Sequence, residues 1–148
     1  MEASAGANAR SSATVAGWLL TKRRKAVRKL GRHFKKLSAR ERHQLRIALK
    51  KLRYTAEFFR SLYQKKREKA YFRALAQLQN SLGRMNDIVV ADHLLRRLSA
   101  APRRDRRIPE RLSTAARIVA GWYTQSASSS ELQAGANWRE FCHCDAFW

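Results

Sequence analysis

Apolar residues recur at steps of three and four along most of this chain, and no stretch clearly alternates apolar with polar residues. That spacing matches the 3.6-residue turn of an α-helix and not the two-residue period of a strand. The chain has only 2 Pro and 6 Gly in 148 residues, so few positions interrupt a helix. The pattern predicts an all-α fold in which long helices with short connections pack as an antiparallel helical bundle.

The sequence predicts four long helices and a short C-terminal helix within one domain at 13–148, after a flexible tail at 1–12. A charged, Pro-flanked loop at 101–109 and a Ser-rich break at 126–131 separate the later helices. The tail lacks the basic and apolar segments of a signal peptide. The predicted helices span about 13–37, 39–63, 68–99 and 110–125, and the short one ends near 141.

The charge of the chain is far from balanced. Lys and Arg number 32 against 11 Asp and Glu, which gives a net charge of +21. Self-repulsion at this charge opposes compaction, and a polyanion such as nucleic acid, an anionic membrane surface or inorganic polyphosphate would relieve it. No apolar run approaches the roughly 20 residues of a membrane span. The two close cysteines, Cys142 and Cys144, allow no disulfide framework and indicate a reducing, cytoplasmic compartment.

One segment concentrates the positive charge. The sequence HQLRIALKKLRY at 43–54 places His43, Arg46, Lys50 and Arg53 at steps of three, four and three, so they lie along one side of a helix. We call these four residues the central stripe. Leucine and alanine occupy the opposite side. Ile47, Tyr54 and Phe58 border the stripe on one side and Leu49 on the other. Apolar residues on both borders favour a charged groove enclosed by protein over an ordinary solvated face.

The first predicted helix repeats this pattern with Lys22, Lys25, Lys29 and Arg32, which we call the N-terminal stripe. Like charges three or four residues apart repel by a few tenths of a kcal/mol per pair. If the two stripes face each other, an anion between them would remove that repulsion. Lys would offer point charges and Arg planar forks to phosphate oxygens.

The third predicted helix supplies three further predictions. Gly83 lies mid-helix and indicates a close helix crossing, because Gly in a helix otherwise costs about 1 kcal/mol relative to Ala. Asp87 is one of few acids and is expected to pair with an Arg or Lys of the second helix. Gln77, Gln79 and Asn86 either add hydrogen bonds to the groove or face water.

No catalytic constellation is present in the sequence. The segment CHCD at 142–145 combines thiol, imidazole and carboxylate groups, but neighbouring residues cannot all face one ion and no second ligand pair follows at zinc spacing. There is no glycine-rich phosphate loop, nucleophile elbow or pair of carboxylates suited to metal–phosphate chemistry. We therefore expect no enzyme activity, no metal and no cofactor.

Three segments together resemble the CHAD domain, the conserved histidine α-helical domain. They are HQLRIALKKLRYTAEFF (43–59), LAQLQNSLGRMND (75–87) and the terminal aromatic residues from 121 to 148, so the resemblance covers about 18–148. The resemblance implies two similar four-helix halves, basic helices that face a central pore, and binding of inorganic polyphosphate, in some members at polyphosphate granules. It makes His43 the motif histidine and the other central-stripe residues pore-lining cations. The N-terminal stripe matches by charge pattern only.

The resemblance is to the C-terminal half of the family domain, and only a short tail precedes Trp18. Two chains that pair as a homodimer would rebuild a pore with two halves. The leading hypothesis is non-enzymatic binding of polyphosphate by the two stripes. Nucleic-acid binding by the basic surface and a phosphoacceptor role for His43 are the alternatives, as is a basic structural protein that assembles through its aromatic end. That end, with Trp138, Phe147 and Trp148, is more simply interpreted as closing the core.

Overall fold

The computed structural model describes the backbone of residues 2–63, 65–100 and 109–148. This part of the chain contains α-helices and two short 3-10 turns but no strand, which confirms the all-α fold. The turns are Phe34–Lys36 and Arg60–Leu62. The four α-helices are α1 (Glu2–Leu30), α2 (Ala39–Phe58), α3 (Lys65–Ala100) and α4 (Pro109–His143).

The start of α2 is defined by a reciprocal cap. The Ser38 hydroxyl accepts a hydrogen bond from the Glu41 backbone N–H at 3.3 Å, and a Glu41 carboxylate oxygen accepts one from the Ser38 backbone N–H at 2.7 Å. Donation from the Ser38 hydroxyl, and then from its backbone, lowers the pKa of Glu41. Two otherwise unpaired donors are thus satisfied, and α2 begins at Ala39 as the sequence predicts.

The helices pack antiparallel. Between α1 and the residues that follow α4, Trp148 Nε1 donates to Thr21 Oγ1 at 3.0 Å and Arg24 Nη2 donates to the Cys144 carbonyl at 2.5 Å. Along α3 and α4, Asn137 Nδ2 donates to Ser81 Oγ at 2.6 Å. The end of α4 and the residues after it therefore connect α3 with α1.

The core lies between these helices and is closed at one end by aromatic rings. Tyr71 is fully buried, and its ring lies 5.6 Å from that of Phe147 and 5.1 Å from that of Trp148, centroid to centroid. Burial raises the pKa of the Tyr71 hydroxyl. These contacts place the terminal aromatic residues in the core, and not on a surface through which chains would assemble. The buried apolar residues include Leu20, Val27, Leu45, Leu49, Leu52, Leu75, Leu78, Leu82 and Phe141.

Several predicted boundaries are wrong. The Ser-rich segment at 126–131 is not a break, because α4 continues through it to His143 and no separate fifth helix forms. α1 ends at Leu30, short of the predicted 37, and begins at Glu2. Of the predicted loop at 101–109, residues 101–108 lie outside the described part of the chain. The division between a tail at 1–12 and a domain at 13–148 stays a prediction.

None of the helices, over its described residues, contains a stretch long and apolar enough to cross a membrane.

Candidate polyanion-binding groove

An open groove of about 460 Å³ runs between α2 and α3. Arg46 and Lys50 of the central stripe line it from α2. The other side comes from α3, which contributes a third cation, two amides and one carboxylate. The α3 residues along the groove are Gln79, Asn80, Gly83, Arg84 and Asp87.

The two ends of the central stripe also lie against α3. His43 lines a small cleft beside Asn86, next to Arg46. At the other end, Arg53 Nη1 donates to Gln79 Oε1 at 3.2 Å, while Arg53 Nε pairs with the Glu57 carboxylate at 2.7 Å. The structure therefore brings all four residues of the central stripe together along one helix interface. Their role in binding stays a prediction.

The groove is enclosed differently from the sequence-based prediction. Ile47, Tyr54 and Phe58 were expected to border it as an apolar wall, but they face outward and are 41%, 64% and 78% exposed. Leu49, on the other border, is fully buried in the core. The second side of the groove is thus α3 itself, because antiparallel packing places its polar residues opposite the central stripe.

The groove carries excess positive charge. Asp87 lies in it but forms no ion pair with any cation of the described chain, so the predicted pairing with α2 is wrong. One carboxylate faces Arg46, Lys50 and Arg84, which leaves a local surplus of cations. Gln79 Nε2 is buried and has no hydrogen-bond acceptor.

The N-terminal stripe lies elsewhere. Lys22, Lys25 and Lys29 fall on the face of α1 opposite the buried Leu20 and Val27, and every residue of the stripe is exposed. Lys22 Nζ lies 4.9 Å from the Trp18 ring centroid on that outer face. No described side chain of α1 lines the α2–α3 groove, so the structure does not bring the two stripes together.

Two residues of the groove were not singled out from the sequence, namely Asn80 and Arg84. With Asp87 they follow steps of four and three, which is the helical spacing that identified the central stripe. That spacing shows that they share a face of α3, but not which neighbouring helix the face contacts. For the same reason, the sequence left open whether Gln79 and Asn86 line the groove or face water.

The mid-helix glycine of α3 does not mark a close crossing, because a Cβ at Gly83 would meet no atom within 4 Å. We expect Gly83→Ala to raise the free energy of unfolding by about 0.5–1 kcal/mol, since Ala is the better helix former and space is open. Urea denaturation of the two proteins measures this difference. A loss of stability would mean that Gly83 has a packing role that the structure does not contain.

The fold and the groove define a strongly basic all-α protein with an open cationic site between two helices. A model of the CHAD domain matches residues 2–96, which is more than half of the 148 residues. The chain therefore belongs to the CHAD domain family. The match contains the segments 43–59 and 75–87, and hence the whole groove, while the terminal aromatic residues lie beyond it. CHAD domains are associated in general with polyphosphate binding. No curated protein and no solved structure matches the chain.

Proposed function

We propose that this protein binds inorganic polyphosphate, without turning it over, in the groove between α2 and α3. The observation that carries the proposal is the position of Arg46, Lys50 and Arg84 around one open cleft with a single carboxylate. Such cations donate charge-assisted hydrogen bonds to phosphate oxygens. Family membership supports polyphosphate as the anion. His43 would add a further donor at one end of the cleft.

The groove suits a linear anion better than a compact one. His43 and Arg53 are ten residues apart on α2, which corresponds to about 15 Å at 1.5 Å per residue. A single phosphate cannot contact both ends of such a line. A chain of phosphates can contact both ends. Because each added phosphate can make a further contact, longer chains would bind more tightly than shorter ones. In this proposal the N-terminal stripe does not line the groove. Its exposed positive charges on α1 attract the polyanion to the protein by long-range electrostatics.

We also propose that two chains pair so that two grooves face one polyphosphate, and that the protein acts in the cytoplasm at polyphosphate granules. The homodimer follows from the two-half architecture that the family resemblance implies. The homodimer and the cellular location could each be wrong while the groove still binds polyphosphate.

Nucleic acid is the second candidate ligand, and one structural observation favours it. Tyr54 and Phe58 are exposed on the outer face of α2, one helical turn apart and next to Lys50 and Lys51. Exposed rings beside cations are the arrangement on which single-stranded bases stack.

The test is a titration of the full chain with long-chain polyphosphate and with single-stranded RNA over a salt series, with mass recorded in the same samples. We expect polyphosphate binding to persist near physiological salt while RNA binding falls steeply, since RNA contacts at exposed charges are screened. If both affinities fell in parallel with salt, binding would depend on overall charge attraction and not on a specific groove. A preference for RNA would instead assign the site to nucleic acid. A mass of two chains would support the homodimer.

A further inference from the structure

A second cavity, of about 420 Å³, lies where the first 3-10 turn, α2, α3 and α4 meet. Its volume falls in the range of small-molecule sites, roughly 300–1,000 Å³. It differs from the groove in having large apolar side chains as well as cations among its lining residues. Its apolar side chains are Phe34, Met85 and Leu132, and its cations are Lys35, Arg42 and Arg139.

The apolar side of this cavity is rigid. Phe34 stacks on Trp138 with ring centroids 5.2 Å apart and planes inclined by 12°, and Trp138 packs in turn on the buried Phe141. Met85 is almost fully buried. Leu132, by contrast, is 77% exposed, so an apolar side chain stands at the mouth of the cavity without a protein partner to cover it.

The polar side is cationic and available. Three cations face one carboxylate, that of Glu131. None of the ion pairs in the described chain involves Lys35, Arg42 or Arg139. Two of the three are arginines, whose planar forks match the oxygens of a phosphate. An anion is therefore the polar partner that this cavity fits.

Arg42 connects the two sites. It lines this cavity and also the cleft that holds His43 and Arg46 at the end of the groove. An anionic group at Arg42 thus lies between the end of a polar, cation-rich groove and a cavity lined in part by large apolar side chains. A ligand with both a phosphate and an apolar group can use both surfaces, whereas polyphosphate has nothing to place against Phe34, Met85 and Leu132.

We propose that this cavity binds a small organic phosphate, with its phosphate groups at Arg42, Lys35 and Arg139 and its aromatic or alkyl group against Phe34, Met85 and Leu132. The site is distinct from the polyphosphate groove and does not depend on it. Arg42 also lines the small cleft beside His43 at the end of the groove, so a polyphosphate that extends into that cleft would compete with the organic phosphate for the Arg42 guanidinium.

Calorimetric titration of the full chain tests the proposal with four probes: ADP, pyrophosphate, adenosine and decyl phosphate. Pyrophosphate carries the two phosphates of ADP without its apolar part, and adenosine carries the apolar part without phosphates. We expect ADP or decyl phosphate to bind at least about tenfold more tightly than either fragment. The tighter of the two identifies the apolar group as a base or an alkyl chain. Equal affinities for ADP, decyl phosphate and pyrophosphate would overturn the proposal.

Variants of α4 locate the site. Leu132→Ser removes the exposed apolar side chain without a change of charge, and we expect the affinity for the preferred organic phosphate to fall about fivefold or more while that for pyrophosphate is unchanged. Ile118→Ser is the matched control, because Ile118 lies on the same helix, is 69% exposed and is not among the residues that line the cavity. Equal losses in the two variants would contradict the site. Long-chain polyphosphate should bind Leu132→Ser as it binds the parent chain, so failure of this proposal and failure of the groove are separate results.

Discussion

Replacing Arg46 and Lys50 together by alanine is expected to weaken polyphosphate binding by at least about tenfold. Both side chains line the α2–α3 groove, and each would donate a charge-assisted hydrogen bond to the ligand. Such bonds contribute about 1.5–3 kcal/mol each, and a tenfold loss corresponds to about 1.4 kcal/mol. Because the groove is open to water, which weakens both bonds, we expect a total loss of at least the value for one such bond and less than the sum of two. Titration of the full-length variant at near-physiological salt gives the affinity.

The matched control is Arg67→Ala with Lys69→Ala. Both residues are exposed at the start of α3, away from the groove, and the double change removes one Arg and one Lys as the groove variant does. We expect less than about a threefold loss for this control, because exposed charges are screened by salt. Equal losses in the two proteins would mean that net charge alone attracts the ligand. Lys25→Ala with Lys29→Ala then measures what the N-terminal stripe contributes from the opposite face of α1.

Gly31→Ala is expected to be the most destabilising Gly→Ala change among Gly17, Gly31, Gly83, Gly121 and Gly135. Gly31 follows α1 and is buried against Trp138, and a Cβ at this position would come within 2.6 Å of the Trp138 atom Cζ3 and closer still to its neighbours in the ring. The indole cannot easily move, because it is stacked on Phe34 and packs on Phe141. Forced overpacking of this kind costs about 1–3 kcal/mol.

Thermal and urea denaturation measure this cost. For a chain of this length, each kcal/mol lowers Tm by about 2–4 °C, so the expected decrease is about 2–12 °C. Gly83→Ala is the natural comparison, since the same methyl group there enters open space. A Gly31→Ala protein as stable as the parent would show that Trp138 does not lie against this turn.

The central stripe was predictable because all four residues lie on one helix, and helical spacing alone places them on one side of it. The start of α2 was equally predictable, because the Ser38 cap involves only residues close together in the sequence. The opposite side of the groove was not, because Arg84 reaches it only through the packing of α3 on α2. Spacing also placed the N-terminal stripe on one face of α1 but could not show that this face points away from the groove.

The predicted Ser-rich break failed for a related reason. Serine is only moderately unfavourable inside a helix, by roughly 0.5 kcal/mol relative to alanine, and that cost is small beside tertiary packing. In α4 the segment after these serines is held by buried Ala134, Asn137 and Phe141. The predicted pairing of Asp87 failed because helical position determines that it faces the groove but not whether a cation there forms an ion pair with it.

Asn137 has a consequence for how the two sites are spaced. Its side-chain amide donates to Ser81 Oγ and to the Gln77 carbonyl, and its oxygen accepts from Gln133 Nε2. The amide therefore fixes the register of α4 against α3, and a slip by one helical turn, about 5.4 Å, would leave a buried polar group without partners. Leu132 and Arg139, which line the cavity, lie on α4 close to Asn137 in the sequence. Asn80 and Arg84, which line the groove, lie on α3 close to Ser81. Asn137 thus holds the α4 residues of the cavity in a defined register relative to the α3 residues of the groove, so a substitution at this buried amide, which lines neither site, would alter both sites together.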